Sequence, residues 1–308
     1  MDGIKTIRIG DENYPKLLKE IKNPPKVLYY RGEIKNEENC FAVVGTRKYS
    51  SYGKEIALEI AGDLSEAGLT IISGLAPGID TFTHTAVLER NQRTIAVVGT
   101  GIDKKSIYPK ENIKLAEKIL ERGGTIISEY PPGTPGSKFT FPQRNRIISG
   151  MSLGVLVIEA KEKSGALITA KWARKQQRKV FAVPGPIHSL NSKGCHYLIK
   201  HGARLAENAN DILKELNLNL STFAEASLHL SPRPTSWGSA SEVNRLVDGD
   251  NVEENLILAT LKEEALYIDK IIERTMLPAP TAASTLAILE IKGKVRNLGN
   301  NVYAISHR

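Results

Sequence analysis

Residues 39–216 repeat one pattern of hydrophobic and polar positions. Short apolar runs that end in glycine or a turn alternate with amphipathic stretches of a dozen or more residues. The apolar runs are rich in β-branched residues, as is typical of strands covered on both faces. They are CFAVVG (40–45), LTIISG (69–74), TIAVVGTG (94–101), TIISEY (125–130), LGVLVIEA (153–160) and KVFAVPG (179–185). The pattern predicts a parallel sheet of about six strands.

The amphipathic stretches space apolar residues three and four positions apart, as in helices that pack on a sheet. They are KEIALEIAGDLSEAG (54–68), ENIKLAEKILERGG (111–124) and ALITAKWARKQQR (166–178). Short βαβ connections of this kind cross over with a right-handed sense. The pattern therefore predicts an α/β fold, with a Rossmann-like, doubly wound, mostly parallel sheet.

The segments on either side of residues 39–216 follow other patterns. Residues 1–38 contain a short helix, a Pro-Pro break and a strand-like run, which indicates a lead-in rather than a domain. Residues 217–250 are rich in serine, proline and glycine with little periodicity, as in a linker. Residues 251–308 show three helical patterns and then an alternating run with a turn at Gly299, which predicts a small winged-helix domain. A plain three-helix packing module is the alternative.

Composition and charge narrow the class of protein. No stretch reaches the roughly 18 apolar residues of a membrane span, and the amino terminus lacks the apolar core of a signal peptide. The two cysteines, Cys40 and Cys195, are too few for a disulfide framework. We therefore expect a cytoplasmic protein that makes no membrane contact.

The positive charge of the chain is concentrated in one segment. Residues 39–216 carry 25 basic and 16 acidic side chains, and this excess of basic residues is larger than the net charge of +8 of the whole chain. An anionic partner is therefore expected to bind there.

The turns that follow the predicted strands carry groups suited to anions. Gly45 and Arg47 follow the first strand, Gly74 the second, the run GTG (99–101) the third and Ser164 the fifth. Ligands of open parallel sheets collect at this edge, where glycines let backbone amides approach a phosphate. The alternative is that the glycines serve turn geometry alone. Neither the G-x-G-x-x-G spacing nor the P-loop pattern of nucleotide-binding proteins is present.

The run GSKFTFPQRNRIISG (136–150) interleaves basic and aromatic residues, and we predict that it forms a loop. Lys138, Arg144 and Arg146 lie within nine positions of one another, beside Phe139 and Phe141. Basic groups take phosphates, while a phenylalanine face stacks on an unpaired base at about 1–3 kcal/mol. The run therefore favours binding of a single-stranded polynucleotide.

Two features of this prediction have alternative structural explanations. The phenylalanines could belong to the core, with the arginines paired to acids such as Glu129 or Glu159. The basic residues of 166–178, among them Lys171, could extend a phosphate track or form a solvated helix face.

Other constellations are weaker. Asp80 and His84 lie four apart on a predicted helix, where a capping aspartate and a buried histidine are favoured over acid–base catalysis. Cys195 and its neighbouring histidines have no second pair at metal-ligand spacing. The third helix of the carboxy-terminal segment, 281–291, has no lysine or arginine, which favours protein contact over DNA contact. We predict no catalytic residue, no metal and no cofactor.

A series of motifs closely resembles the DprA/Smf family of DNA-processing proteins. In order they are VGTRKYSSYG, SGLAPGID, GTGID…YPKEN, IISEYPPG, FPQRNRIISGMS, VIEAKEKSGALITA and VPGPI…GCHYLIKHGA, within residues 14–216. The tail is similar to the winged-helix module of many members. Thr83 stands where the family typically has alanine, and we expect the chain to lack the amino-terminal helical module of many members.

The resemblance implies an extended Rossmann fold that binds single-stranded DNA as a homodimer and helps load RecA, protecting and recombining DNA taken up in natural transformation. Arg47 matches the arginine of the family's G-S/T-R turn, and Asn145 is the centre of its R-N-R motif. The candidate nucleic-acid-binding residues are Arg47, Gly74, Lys138, Phe141, Arg144, Asn145, Arg146, Ser164 and Lys171.

Two rival functions belong to other classes. A nucleoside-monophosphate phosphoribohydrolase on a related scaffold would carry a P-G-G-x-G-T-x-x-E run, whereas this chain has only SGALITA without the glutamate. A duplex-binding regulator would use the winged helix, whose segment 251–308 has equal numbers of basic and acidic residues.

Overall fold

The chain divides into two compact units, Met1–His229 and Leu230–Arg308. The computed structural model describes residues 3–35, 37–218, 252–261, 265–275, 277–299 and 301–306. Nearly all of the predicted linker, 217–250, lies outside the described residues. The domain boundaries given above therefore stay predictions.

The described part of the first unit is built on a nine-stranded sheet of order β1-β2-β6-β5-β4-β3-β7-β8-β9. Its strands are β1 (Lys5–Arg8), β2 (Val27–Arg31), β3 (Cys40–Gly45), β4 (Thr70–Ser73), β5 (Thr94–Val97), β6 (Thr125–Ser128), β7 (Gly154–Ile158), β8 (Lys179–Ala182) and β9 (Arg204–Leu205). Strands β3 to β9 pair in parallel, whereas β1 with β2 and β2 with β6 pair antiparallel. The predicted mostly parallel, Rossmann-like sheet is confirmed. The expected six strands were too few, because the lead-in contributes β1 and β2 and β9 is only two residues long.

Helices cover both faces of this sheet. They are α1 (Lys16–Lys19), α2 (Ser51–Glu66), α3 (Ile79–Glu89), α4 (Ile113–Glu121), α5 (Thr140–Gly150), α6 (Gly165–Lys175), α7 (Lys193–Lys200) and α8 (Ala209–Glu215). Alternate residues of β3 separate the two faces: Val44 packs with α5 and α6, and Val43 packs with α2 and α3. Because both faces are buried, each strand is a nearly continuous apolar run.

The strand order places a crevice beside β3. From β3 the chain moves outward through β4, β5 and β6, and then returns to pair β7 with the other side of β3. The connections that leave β3 and β7 therefore diverge at their carboxyl ends, where open α/β sheets bind ligands. This switch point, between β3 and β7, is where the candidate site lies.

The described residues of the second unit include three helices, α9 (Val252–Leu261), α10 (Ile268–Thr275) and α11 (Ala279–Ile291). They pack through Leu258, Ile271 and Leu286 against a small antiparallel sheet. Its strands are β10 (Leu266–Tyr267), β11 (Val295–Asn297) and β12 (Val302–Ile305), in the order β10-β12-β11. The predicted winged helix is confirmed, and β10 is a third strand that the sequence pattern did not indicate.

Within the residues described, no helix combines the length and the apolar character needed to cross a membrane.

Candidate nucleic-acid interface

A cleft of about 550 Å³ lies at the β3–β7 switch point. We call it the strand-end cleft. Its lining includes Arg47 and Lys48 from the turn after β3, Lys161, Lys163 and Ser164 from the turn after β7, and Phe141, Arg144 and Asn145 from α5. Cationic side chains from two separate turns therefore converge on one opening.

Arg47 and Phe141 form a cation–aromatic pair at this cleft. The Cζ atom of Arg47 lies 5.7 Å from the centroid of the Phe141 ring. The ring also packs closely on the GTG turn, since a Cβ added at Gly99 would lie 2.9 Å from its Cδ1 atom. Arg47 is exposed, and no carboxylate in the described ranges forms a salt bridge with it. The pair thus presents an exposed guanidinium, with no salt-bridge partner among the described residues, beside a half-buried ring.

Arg144 has a different environment from Arg47. It is buried, its Nη1 donates to the carbonyl oxygens of Gly74, at 2.7 Å, and Val97, and its Nε donates to Oδ1 of Asn145 at 3.1 Å. Burial lowers the pKa of Arg144 to about 10, and the nearby Asp80 opposes that shift. Arg144 therefore ties the ends of β4 and β5 to α5.

Asp80 forms a buried group together with Arg144 and Gly74. Its Oδ2 accepts hydrogen bonds from the backbone amides of Gly74, at 3.1 Å, and Ala76, at 3.4 Å. A Cβ added at Gly74 would lie 2.7 Å from both the Asp80 carboxylate and the Arg144 guanidinium. The turn after β4 therefore needs glycine for close packing, and the Gly74 amide is already occupied by a carboxylate instead of being open to an external anion.

Arg146 is also buried and forms a salt bridge with Glu129. Arg144 and Arg146 thus both hold partners inside the protein, and their direct contact with a polynucleotide stays a prediction. The partners lie inside because the run 136–150 is not all loop: α5 begins at Thr140 and turns Arg144, Ile147 and Ile148 inward. The structure shows the Arg146–Glu129 pair of the alternative explanation but not its other part, because Phe139 is exposed and Phe141 is only half-buried.

Asn145 and Ser164 position the start of α6. Asn145 donates from Nδ2 to the carbonyl oxygen of Gly165 at 3.3 Å. Ser164 is the N-cap of α6, and its Oγ accepts a hydrogen bond from the amide of Ala166 at 3.3 Å. Both residues line the strand-end cleft, so they direct the positive end of the α6 dipole toward it.

Asp80 and His84 lie on α3, and their surroundings favour the structural explanation. His84 is fully buried, with Nδ1 2.8 Å from Oγ1 of Thr94. Burial lowers the pKa of His84 to about 3. The imidazole is therefore neutral at physiological pH and is held away from solvent.

The pKa of His84 predicts acid destabilisation. Because the folded-state pKa lies below the unfolded value of 6.5, the unfolded chain binds the proton first, and stability is lost as pH falls below about 6.5. Between pH 7 and pH 5 this group alone should lower the free energy of unfolding by about 2 kcal/mol. Urea denaturation of the parent and a His84→Gln variant at both pH values measures it. The same pH dependence in the two proteins would contradict the prediction.

Lys138 and Lys171 lie outside the lining of the strand-end cleft. Lys138 is exposed, with Nζ 5.3 Å from the centroid of the Phe139 ring, and Phe139 is 72% exposed. Phe139 and Lys171 both line a second cleft of about 710 Å³, between α5 and α6, which we call the α5–α6 cleft. Most of the predicted site residues thus line one of two neighbouring clefts, whereas Gly74 and Lys138 line neither.

Only some of the basic side chains in the phosphate track predicted on residues 166–178 line a cleft where they could bind phosphates. Arg174 donates to the carbonyl oxygen of Leu198, Arg178 forms a salt bridge with Glu20, and Lys179 forms one with Glu215. Lys171 and Lys175 line the α5–α6 cleft. Part of this basic series therefore stabilises the fold, and the rest faces a cleft.

Comparison with known families accounts for both units. The family model of DNA recombination-mediator protein A matches residues 5–217, and that of the DprA winged helix domain matches residues 245–301. The chain belongs to the DNA recombination-mediator protein A family. The resemblance found in the sequence motifs is confirmed.

Relatives of this family agree over most of the chain. The Escherichia coli K12 Protein Smf is 38% identical over 288 residues, which are 93% of this chain and 74% of that protein. The Bacillus subtilis DNA processing protein DprA is 43% identical over 216 residues, 70% of this chain and 72% of the relative.

Two solved family structures share the fold. The crystal structure of Streptococcus pneumoniae DprA has a TM-score of 0.65 at 43% identity, and covers 70% of this chain and 75% of its own. Helicobacter pylori DprA, described for its unique single-stranded DNA binding mode, has a TM-score of 0.62 at 31% identity, and covers 70% of this chain and 95% of its own.

Sequence reasoning missed several members of the two clefts. Lys161 and Lys163 follow β7, at the same edge of the sheet as Arg47. Their position after a predicted strand was the feature of the sequence that could have identified them. Trp172 was counted as part of an amphipathic helix, although it lines the α5–α6 cleft. Within this family, these are further candidates for contact with a nucleic acid.

Proposed function

We propose that this protein binds single-stranded DNA in the strand-end cleft, with little sequence preference, and helps load RecA onto the bound strand without catalysing a reaction. The observation that carries the proposal is the pair of the exposed Arg47 and the half-buried Phe141, which lines a switch-point crevice together with Lys48, Lys161 and Lys163. Membership of a recombination-mediator family and the DNA-binding relative from Helicobacter pylori support it.

The geometry suggests how a strand is held. Arg47 and the three lysines would neutralise phosphates, and the amino end of α6 would add its partial positive charge. The Phe141 ring would stack on a base, which every base allows because each has a π face. The hydrogen-bonding edges of the bases would stay unread, so we expect little discrimination between sequences. Arg144 and Asn145 would act indirectly, by fixing α5 and the turns beneath the cleft.

Salt and strandedness test this proposal. We expect the full-length protein to prefer an unstructured single strand over duplex of equal length. Log affinity should fall linearly with log salt, at a slope of about −0.7 for each phosphate neutralised on a single strand. Fluorescence anisotropy with labelled oligo-dT and with duplex, repeated from low to physiological salt, measures both quantities. Equal affinity for the two substrates would contradict the proposal.

The RecA step has its own test. A strand held by its phosphates and one base face would leave neighbouring nucleotides open to a recombinase. The protein should shorten the lag before RecA hydrolyses ATP on DNA coated with single-strand-binding protein. An unchanged lag, in a preparation that binds oligo-dT, would remove RecA loading from the proposal and leave DNA binding.

We also propose that the protein works in the cytoplasm as a homodimer. Strand β9 ends the sheet, and no described strand pairs with its outer edge, while Leu205 and Tyr197 nearby are about half exposed. An unpaired strand edge beside apolar side chains suits a symmetric contact with a second copy. Light scattering on the purified protein gives the mass that decides this.

A further inference from the structure

The α5–α6 cleft combines aromatic and basic groups outside the strand-end cleft. Its lining includes the half-buried Trp172, the exposed Phe139, and Lys171 and Lys175. Lys175 Nζ lies 5.2 Å from the Trp172 ring centroid, so the cation and the ring are adjacent. We propose that this cleft is a second subsite, which takes an unpaired base of the same DNA strand against Trp172 and the adjoining phosphates on the two lysines. The inference rests on the proposed function.

The charges of the cleft fit a polyanion. None of its lining residues is acidic, and neither Lys171 nor Lys175 forms a salt bridge with a described residue. A lysine that already had a carboxylate partner would have to give it up to take a phosphate. These two lysines lose no internal ion pair when they bind one.

Arg146 adds a second, independent observation. It lines the cleft, its side chain is 7% exposed, and Glu129 pairs with its Nη2. Its Nη1 is buried and has no hydrogen-bond partner in the described part of the chain. A buried donor without an acceptor is costly, by about 1–3 kcal/mol. An oxygen of a bound base or phosphate would supply the missing acceptor.

The two clefts are neighbours, which favours one continuous strand over a separate ligand. Pro142 and Ile168 line both of them. Neither side chain carries a charge, so no repulsive group separates the phosphates held at Arg47 from those held at Lys171. A strand that leaves the strand-end cleft across this border enters the α5–α6 cleft.

Tryptophan fluorescence gives a direct test in the full chain. The sequence has two tryptophans, Trp172 and Trp237, so a Trp237→Phe variant reports on Trp172 alone. Stacking on a base should quench its emission when twelve-nucleotide oligo-dT is added, and salt should reverse the quenching. Thymidine monophosphate should quench little at the same nucleotide concentration, because the cleft takes a base as part of a strand. Strong quenching by the monophosphate would overturn the continuous-strand assignment.

Affinity provides a second arm. Trp172→Ala should weaken binding of the twelve-nucleotide oligo-dT about five- to 100-fold, the range expected for one stacked base. Trp172→Phe should recover most of that loss because it keeps an aromatic face. Tyr267→Ala is the matched control: Tyr267 is 58% exposed and lies in the other unit, so its removal should leave affinity unchanged.

The outcomes separate the inference from the function on which it rests. If the parent fails to bind oligo-dT, the proposed function and the second subsite are both overturned. If the parent binds and Arg47→Ala weakens binding, while Trp172 emission and the affinity of Trp172→Ala stay unchanged, only the second subsite is overturned. The fluorescence arm leaves Trp172 intact, so it decides the matter even if Trp172→Ala fails to fold.

Discussion

Arg47→Ala should bind oligo-dT about 10- to 100-fold more weakly than the parent at physiological salt. The guanidinium is exposed and beside the Phe141 ring, and no described carboxylate forms a salt bridge with it, so its charge is available to a phosphate. Charge-assisted hydrogen bonds of this kind contribute about 1.5–3 kcal/mol. Anisotropy titration of the full-length variant measures the loss, and the salt slope should become shallower by about 0.7 for a lost phosphate contact.

The matched control for Arg47 is Lys118→Ala. Lys118 is exposed in the last turn of α4, whose carboxyl end precedes β6 and so lies at the opposite edge of the sheet. Lys118→Ala removes one positive charge from the chain, as Arg47→Ala does, but it leaves the strand-end cleft unchanged. If both variants lose affinity equally, binding depends on net charge alone, and the assignment of the cleft fails. Circular dichroism confirms that each variant is folded.

The central fold could be predicted because its strands are short, β-branched and covered on both faces. The apolar runs at 40–45, 69–74 and 153–160 each contain an observed strand. Helix α5 escaped prediction because a proline and two arginines lie in its first two turns, while its buried positions at Ile147 and Ile148 come late. Pro142 is compatible with the first turn of a helix, where its missing amide has no partner to lose.

The candidate site was less predictable than the fold, because the partners of a residue such as Arg144 are distant in the sequence. Arginine is rarely buried, so an R-N-R run next to phenylalanines favours phosphate contact when only the sequence is known. The partners that bury Arg144 come from Gly74, Asp80 and Val97, which precede it by 47 residues or more and meet it only through the order of the strands. The position of Arg47 could be predicted without knowing the order of the strands, because the end of a strand determines where the residues that directly follow it lie.

The second large effect is an expected loss of stability when Arg144 is removed from the buried group around Gly74. Arg144→Ala should lower the free energy of unfolding by about 3–5 kcal/mol, since it leaves the buried Asp80 carboxylate without its compensating charge. The carbonyl oxygens of Gly74 and Val97 would also lose their donor. Urea denaturation monitored by circular dichroism measures the change. Arg174→Ala is the control, because that exposed side chain donates a hydrogen bond to the carbonyl oxygen of Leu198, and its removal should cost less than about 1 kcal/mol.

A double-mutant cycle distinguishes this positioning role from direct DNA contact. If Asp80 and Arg144 stabilise each other's charged forms, Asp80→Ala combined with Arg144→Ala should cost clearly less than the sum of the single changes. At a temperature where Arg144→Ala is still folded, its affinity for oligo-dT should fall less than that of Arg47→Ala. A variant that keeps the parent's stability but loses as much affinity as Arg47→Ala would show instead that the Arg144 guanidinium leaves its carbonyl partners to bind phosphate.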